Sequence, residues 1–241
     1  MPIIYLSPST QEYNPYITGN GSEEYFMNLI ADAMEPYLRS NAIRWTRNTP
    51  SMTPASSIAQ SNQGSYDLHL ALHSNASGDG TTEGRSRGII AFYYPTSTRG
   101  RRAAELLAAG LRRIYPLPDQ VTIRATTGLG EVRQPKAPSV LIEIGYHDNY
   151  ADAIWIESNI TTIAQNLVMS LTEKNLVLKP AAGKTLDLVF DGRTSIPMEP
   201  DDHVVLTQSK SFTTFLRMRH TGFVGALREK LGWTGKRTED K

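Results

Sequence analysis

Short apolar runs alternate with amphipathic stretches over residues 3–172, and this alternation restricts the possible folds more than any other feature. The runs at residues 68–72 and 139–144 are almost continuously apolar, as expected for strands buried on both faces. Residues 22–38 instead carry apolar side chains at helical spacing, after a serine suited to an N-cap. The pattern predicts an α/β domain of three layers, a mixed, mostly parallel sheet flanked by helices.

Several further elements follow from the same spacing arguments. Residues 54–62 and 99–115 read as helices, and residues 121–125 as an edge strand. Pro36 is expected to kink or end the first long helix, because proline removes a backbone donor. Residues 148–172 predict one long helix with apolar residues on one face.

A domain boundary is predicted at the sequence Lys179-Pro180-Ala181-Ala182-Gly183, after which short strands replace the longer elements. We therefore expect one domain over residues 1–178 and a small β-rich module over residues 181–241. Residues 1–178 carry 14 basic and 16 acidic side chains, net −2, whereas the remainder carries 11 and 8, net +3. In the module, residues 186–190, 204–207 and 212–218 predict strands, and residues 222–231 a helix.

The composition excludes several classes of function. The 241 residues contain no cysteine, which rules out disulfides, thiolate metal sites and cysteine nucleophiles. A net charge of +1 argues against a dedicated nucleic-acid binder. The first 14 residues have no basic n-region, and no run reaches the roughly 20 apolar residues of a membrane span. We expect synthesis in the cytoplasm without membrane insertion, and release by another agent if the protein acts elsewhere.

Three residues stand out as candidates for chemistry. Glu143 interrupts a buried strand, where a carboxylate is costly unless it is paired, protonated or functional. Burial raises the pKa of such a group, which suits a general acid or base, although a structural pair with an arginine is an equal alternative. His73 follows a strand at the sheet edge where α/β domains place their sites. Glu24 lies in the first turn of a helix, where a carboxylate often only complements the helix dipole.

Together, these segments resemble the zinc-dependent N-acetylmuramoyl-L-alanine amidases of the amidase-3 type, which separate muramic acid from the stem peptide of peptidoglycan. The resemblance covers roughly residues 2–176. It implies that residues 1–178 form a zinc amidase catalytic domain and that the module over residues 181–241 serves wall binding or oligomerisation. The sequences that carry it are NGSEEYFMNLIADAM, YDLHLALHSNAS, GIIAFYY and APSVLIEIGYHDN.

The resemblance implies a Zn²⁺ cofactor and roles for particular residues. It implies Glu24 and His73 as metal ligands, with Glu24 preferred to Glu23 because Asn28 follows it by four residues, as in the family pattern. Glu143 matches the catalytic glutamate of the family.

Three more residues are predicted to bind substrate. Arg133 precedes the Glu143 strand where the family tends to keep a substrate-facing arginine, and Asn75 belongs to the His-Ser-Asn-Ala segment. His147 lies in the loop beyond Glu143 and could reach the cleft, or could simply pair locally.

The family's first zinc-binding histidine has no counterpart here, because the first strand runs into Ser7-Pro8-Ser9-Thr10-Gln11. Strict register places Thr10 at that position, with Gln11 one residue further. A glutamine carbonyl is a weaker zinc ligand than imidazole. We rank Gln11 first and His147 second as the third ligand, since His69 lies ~13 Å from His73 along the strand.

The carboxyl-terminal module resembles a different family. The sequences FDGRTSIPMEPDDHVVL and GALREKLGW are similar to the last strands and helix of NAD kinases, over about 55 residues. The leading hypothesis is nevertheless a phage endolysin-like amidase that acts on peptidoglycan. The alternatives are a catalytically inactive wall-binding protein and, more weakly, a nucleotide-binding protein.

Overall fold

The computed structural model describes residues 2–78 and 82–172, together with four short strands further along the chain. The strands are β1 (Ile3–Pro8), β2 (Arg44–Arg47), β3 (Leu68–Asn75), β4 (Ile89–Tyr93), β5 (Val121–Ala125), β6 (Ser139–Tyr146), β7 (Leu176–Leu178), β8 (Leu186–Phe190), β9 (Thr194–Met198) and β10 (Val204–Leu206). The helices are α1 (Glu23–Ser40), α2 (Pro54–Gln63), α3 (Thr98–Leu111), α4 (Gly130–Arg133), α5 (Tyr150–Ser158) and α6 (Ile160–Leu171).

Six strands form one mixed sheet in the order β2-β1-β3-β6-β4-β5. Strands β2, β1, β3 and β6 are parallel, while β4 runs antiparallel to β6 and parallel to β5. The carboxyl ends of β1, β3 and β6 therefore meet at one edge. This arrangement confirms the predicted three-layer fold and the edge position of β5.

The alternation of side chains across the sheet separates a large apolar core from a polar face. Leu68, Leu70 and Leu72 of β3 pack in the main core with residues of α1, α3 and α6. The intervening residues point to the opposite face, where Ala71 packs beside Val132 of α4. The same alternation places His69 and His73 on that second face, which is covered in part by α2 and α4.

Pro36 does not end helix α1, and the single long helix predicted later in the domain is wrong. Helix α1 continues through Pro36 to Ser40, because the apolar side of its last turns, including Met34 and Leu38, is fully buried. The helix predicted over residues 148–172 is two helices, α5 and α6, which meet at Asn159. The Asn159 backbone leaves the helical region, and its side-chain amide donates to the Trp155 carbonyl at 2.8 Å.

The later strands form two antiparallel pairs, β8 with β9 and β7 with β10. Strands β8 and β10 confirm the predictions for residues 186–190 and 204–207. The strand predicted at residues 212–218, the helix predicted at residues 222–231 and the boundary at residues 179–183 lie outside the described residues. Within the part of the chain that the structure describes, no helix is long and apolar enough to span a membrane.

Candidate active site

A cavity of about 310 Å³ opens at the edge where β1, β3 and β6 end. Its walls come from the loop after β1, the first turn of α1 and the loops that follow β3 and β6. The lining residues are Gln11, Asn14, Glu23, His73, Ser74, Asn75, Ala76, Gly78, Glu143 and His147.

His73 and Glu143 are brought together by strand register. They are direct partners in the parallel pairing of β3 with β6, so their side chains project from the same face. The register then shifts between His73 and Asn75, an irregularity of the kind that re-aims side chains beside active sites. Two polar groups thus enter the cavity next to each other from neighbouring strands.

The Glu143 carboxyl is set up for proton transfer. Its Oε2 is enclosed and has no hydrogen-bond partner among the described residues. Burial raises its pKa to about 7, opposed by the positive charge of His73 and supported by the negative charge of Glu23. A carboxyl with a pKa near neutrality can both accept and return a proton.

Glu23 reaches the cavity from the first turn of α1, whose N-cap is Ser22. Its Oε1 lies 2.8 Å from His73 Nδ1, and its Oε2 accepts a hydrogen bond from Asn14 at 2.7 Å. Burial alone would raise the pKa of this carboxyl, but the bonds to His73 and Asn14 lower it. Glu23 is therefore an ionised, oriented carboxylate that faces the cavity.

Glu23, and not the predicted Glu24, lines the cavity. The four-residue spacing between Glu24 and Asn28 corresponds instead to a hydrogen bond within the helix, because Asn28 Nδ2 donates to Glu24 Oε1 at 3.2 Å. Asn28 Oδ1 in turn accepts from Arg47 at 2.7 Å, and Asn28 Nδ2 also donates to the Ser9 carbonyl at 3.1 Å. Adjacent helix residues differ by about 100° in direction, so Glu24 cannot share the orientation of Glu23.

His73 is bound on both sides by carboxylates. Its Nε2 lies 3.0 Å from Glu131 Oε2, opposite the contact between Nδ1 and Glu23. Burial would lower the pKa of His73, but these two carboxylates raise it well above the ordinary value.

Glu131 is a buried residue of α4 that the sequence analysis did not identify. Its Oε1 accepts from Ser7 Oγ at 2.6 Å and lies 3.2 Å from His69 Nε2. Burial opposes ionisation of Glu131, but hydrogen bonds from His69 and His73 prevail and bring its pKa to about 2. Glu131 is therefore ionised near neutral pH, and it lies against His73.

Gln11 occupies the loop that follows β1, as predicted. Its Nε2 lies 3.3 Å from His73 Nδ1, and its Oε1 accepts from Asn14 at 3.2 Å. Rotation of the carboxamide by half a turn exchanges these two atoms, which would direct the oxygen towards His73.

His147, the second candidate, is buried and also lines the cavity. Its Nδ1 lies 3.0 Å from the Ser74 carbonyl, so a proton on that nitrogen is donated to the backbone. The ring stacks on Tyr16 at a centroid distance of 5.7 Å. With its proton on Nδ1, the ring has a free lone pair on Nε2, which is the form that binds a metal ion.

The two remaining predicted site residues lie in different places. Asn75 lines the cavity, and its Oδ1 accepts from the Ala76 backbone at 2.9 Å. Arg133 is exposed and instead lines a separate cleft of about 460 Å³ with Arg99 and Lys136. A role for Arg133 in substrate binding stays a prediction.

The cavity offers two strong zinc donors and one weak one. Across the described ranges, no group of three or more His, Asp or Glu side chains is arranged to hold a metal. Glu23 and His73 nevertheless direct a carboxylate oxygen and an imidazole nitrogen into one cavity, and Gln11 can add a carbonyl oxygen. Nitrogen and oxygen donors of this kind are zinc ligands.

Comparison with known proteins agrees with this fold. A model of the family described as N-acetylmuramoyl-L-alanine amidase matches residues 5–173. The solved N-acetylmuramoyl-L-alanine amidase AmiC2 of Nostoc punctiforme is 13% identical, with 70% of this chain and 94% of that chain covered and a TM-score of 0.61.

Two further solved structures show the same fold. The catalytic domain of CwlV, an N-acetylmuramoyl-L-alanine amidase from Bacillus (Paenibacillus) polymyxa var. colistinus, is 17% identical, covers 71% of this chain and 97% of its own, and has a TM-score of 0.61. The catalytic domain of the CD27L endolysin targeting Clostridia difficile is 20% identical, with 71% and 96% covered and a TM-score of 0.55.

The curated relatives match only a short part of this chain. An NAD kinase of Photobacterium profundum is 36% identical over 61 residues, which are 25% of this chain and 21% of that protein. The chain thus spans about a fifth of the length of this relative. The likeness to NAD kinases is partial.

Proposed function

Because the chain belongs to the N-acetylmuramoyl-L-alanine amidase family, we propose that it hydrolyses the amide bond between N-acetylmuramic acid and L-alanine in peptidoglycan. The observation that carries this proposal is the Glu143 carboxyl, which has an enclosed oxygen without a partner among the described residues and lies beside His73 in the cavity. An unpaired carboxyl in such a site is suited to move a proton during hydrolysis.

We propose that Glu23, His73 and Gln11 hold the zinc ion, with His147 as the alternative to Gln11. Bound zinc supplies Lewis-acid chemistry, since it makes water more acidic and polarises a carbonyl. Asn14 holds the Glu23 carboxylate in place through the 2.7 Å bond to Oε2.

Glu143 has two consecutive tasks in this proposal. As a carboxylate it takes a proton from the attacking water, which becomes bonded to the lactyl carbonyl carbon. As a carboxylic acid it then gives that proton to the leaving nitrogen of L-alanine as the C–N bond breaks. A pKa of about 7 makes both states accessible near neutral pH.

The matched pair Glu23→Gln and Glu24→Gln tests this site, because both residues lie in the first turn of α1. Glu23→Gln should lose zinc and the release of L-alanine amino groups from purified muropeptides. Glu24→Gln should keep both, since Glu24 contacts Asn28 within its own helix. Equal effects of the two substitutions would contradict the ligand assignment.

A catalytically inactive wall-binding protein is the second candidate. The observation in its favour is the carboxamide of Gln11, a weak ligand, in the loop where the family resemblance expects a histidine. A protein of this kind would purify without stoichiometric zinc and would bind walls without releasing amino groups. Metal analysis alongside the muropeptide assay therefore separates the two candidates.

We further propose that the protein acts on the cell wall after release, in the manner of an endolysin. The support is the structural likeness to the catalytic domain of the CD27L endolysin. Purified protein added to isolated walls from several bacteria should release amino groups from at least one of them. If it is active on soluble muropeptides but on none of the walls, this part of the proposal fails.

A further inference from the structure

The two ring nitrogens of His73 face different surroundings. Nδ1 is directed to the cavity, where Glu23 Oε1 and Gln11 Nε2 lie 2.8 and 3.3 Å away. Nε2 is directed to Glu131, whose Oε2 lies 3.0 Å away. Only one of these nitrogens can keep a proton when the other binds a metal, so their surroundings decide which one it is.

Glu131 is firmly held in its position beneath His73. Its side chain is only 6% exposed and comes from α4, a short helix packed against β6. Ser7 Oγ donates to Oε1, and the His69 ring lies against the same oxygen. His69 is itself fixed by Ser61 Oγ, which lies 2.9 Å from its Nδ1. The carboxylate is thus held, directly or through His69, by groups from β1, β3 and α2.

An ionised carboxylate accepts hydrogen bonds and cannot donate them. Both carboxylates therefore accept from His73 in the metal-free protein, Glu23 from Nδ1 and Glu131 from Nε2. Glu131 does not belong to the cavity lining, so a metal bound in the cavity would displace the Nδ1 proton, and the neutral ring would keep its proton on Nε2. We propose that Glu131 is a positioning residue that selects this tautomer and orients His73, so that Nδ1 is the atom offered to the metal. The inference rests on the proposed zinc site, and it adds the atom and the residue that determines it.

A purely structural role for Glu131 makes a different prediction. If Glu131 served only to neutralise two buried histidines, its loss would lower thermal stability and leave the geometry of metal binding unchanged. Carboxylate partners of metal-binding histidines typically change metal affinity 10- to 100-fold. Metal affinity and the identity of the bound nitrogen are therefore the quantities to measure.

The first experiment needs no substitution. In a long-range ¹H–¹⁵N spectrum of the zinc-loaded protein, we expect His73 to show a protonated Nε2 and a metal-bound Nδ1. A metal-bound Nε2 would overturn the proposal, because Glu131 could not then accept its proton.

The second experiment measures zinc affinity by competition with a chelator in Glu131→Gln, which keeps the size of the side chain and removes its charge. We expect binding about 10- to 100-fold weaker than in the unmodified protein. The matched control is Ser61→Ala, which perturbs the same buried network at His69 and should leave zinc affinity unchanged. Equal affinity in Glu131→Gln and the unmodified protein would overturn the inference alone. Failure of the unmodified protein to bind zinc would instead overturn the proposed function, and the inference with it.

Discussion

Replacing Glu143 with glutamine should abolish hydrolysis and stabilise the metal-free protein above pH 7. The folded protein raises the pKa of Glu143 from 4.5 to about 7, and a tenfold change in proton affinity is worth about 1.4 kcal/mol. Ionising Glu143 in the folded state therefore costs up to about 3 kcal/mol, less where water enters the cavity. Glutamine carries no charge and avoids this cost, although its own amide must find a partner.

The raised pKa of Glu143 determines how the free energy of unfolding changes with pH. Below pH 4.5 the carboxyl is protonated in both the folded and the unfolded protein, so no penalty exists. Between pH 4.5 and about 7 the unfolded chain ionises while folded Glu143 keeps its proton, so the free energy of unfolding falls. Above about pH 7 the penalty is complete. The advantage of Glu143→Gln should therefore grow across this window and then level off.

Urea unfolding with a chelator present, at pH 5 and at pH 8, measures the difference directly. The exposed Glu83 provides the control, because Glu83→Gln removes a charge at the surface. Activity on muropeptides should fall ~10²- to 10⁴-fold in Glu143→Gln, as is typical when a general acid or base is removed. Parallel pH profiles for the unmodified protein and Glu143→Gln would refute the pKa argument, and retained activity would refute the catalytic role.

Three further predictions concern the metal and the later part of the chain. In a chelator competition, Gln11→His should tighten zinc binding and Gln11→Ala should weaken it, because imidazole is a better zinc ligand than a carboxamide. If Gln11→Ala keeps the metal and His147→Ala loses it, His147 is the third ligand. Zinc removal should abolish muropeptide cleavage and re-addition should restore it, whereas activity that persists with a chelator would exclude the metal mechanism. Removal of residues 181–241 should leave a folded domain active on soluble muropeptides, even though β7 loses its partner β10; a truncated chain without a cooperative unfolding transition would show that the boundary is misplaced.

The parts of the site that strands determine could be predicted from the sequence. Glu143 and His73 lie in apolar runs whose period of two fixes the face of each side chain, and parallel strands bring their carboxyl ends together. The charge of Glu143 among apolar neighbours was itself the signal. These patterns therefore predict both the edge of the sheet at which the site lies and the presence of His73 and Glu143 there.

The parts that depend on helix direction and tertiary contacts could not be predicted. To choose between Glu23 and Glu24, one must know which side of α1 is directed to the cavity. The spacing between Glu24 and Asn28 does not give this orientation. Glu131 lies on a four-residue helix, too short to leave a periodic pattern. A signal for it did exist, since His69 and His73 share one face of a buried strand and such a pair needs a buried acceptor.

Glu131 and Glu143 show how one face of a sheet can give two glutamates opposite roles around His73. Both are removed from bulk water, which by itself raises the pKa of each carboxyl. Glu131 receives hydrogen bonds from Ser7 and the two histidines, so its charge is stabilised and its pKa falls to about 2. Glu143 has an oxygen without any such donor among the described residues, so its pKa rises to about 7. Environments that separate two pKa values in this way separate a fixed charge from a proton carrier, and these are the two roles that we propose for Glu131 and Glu143.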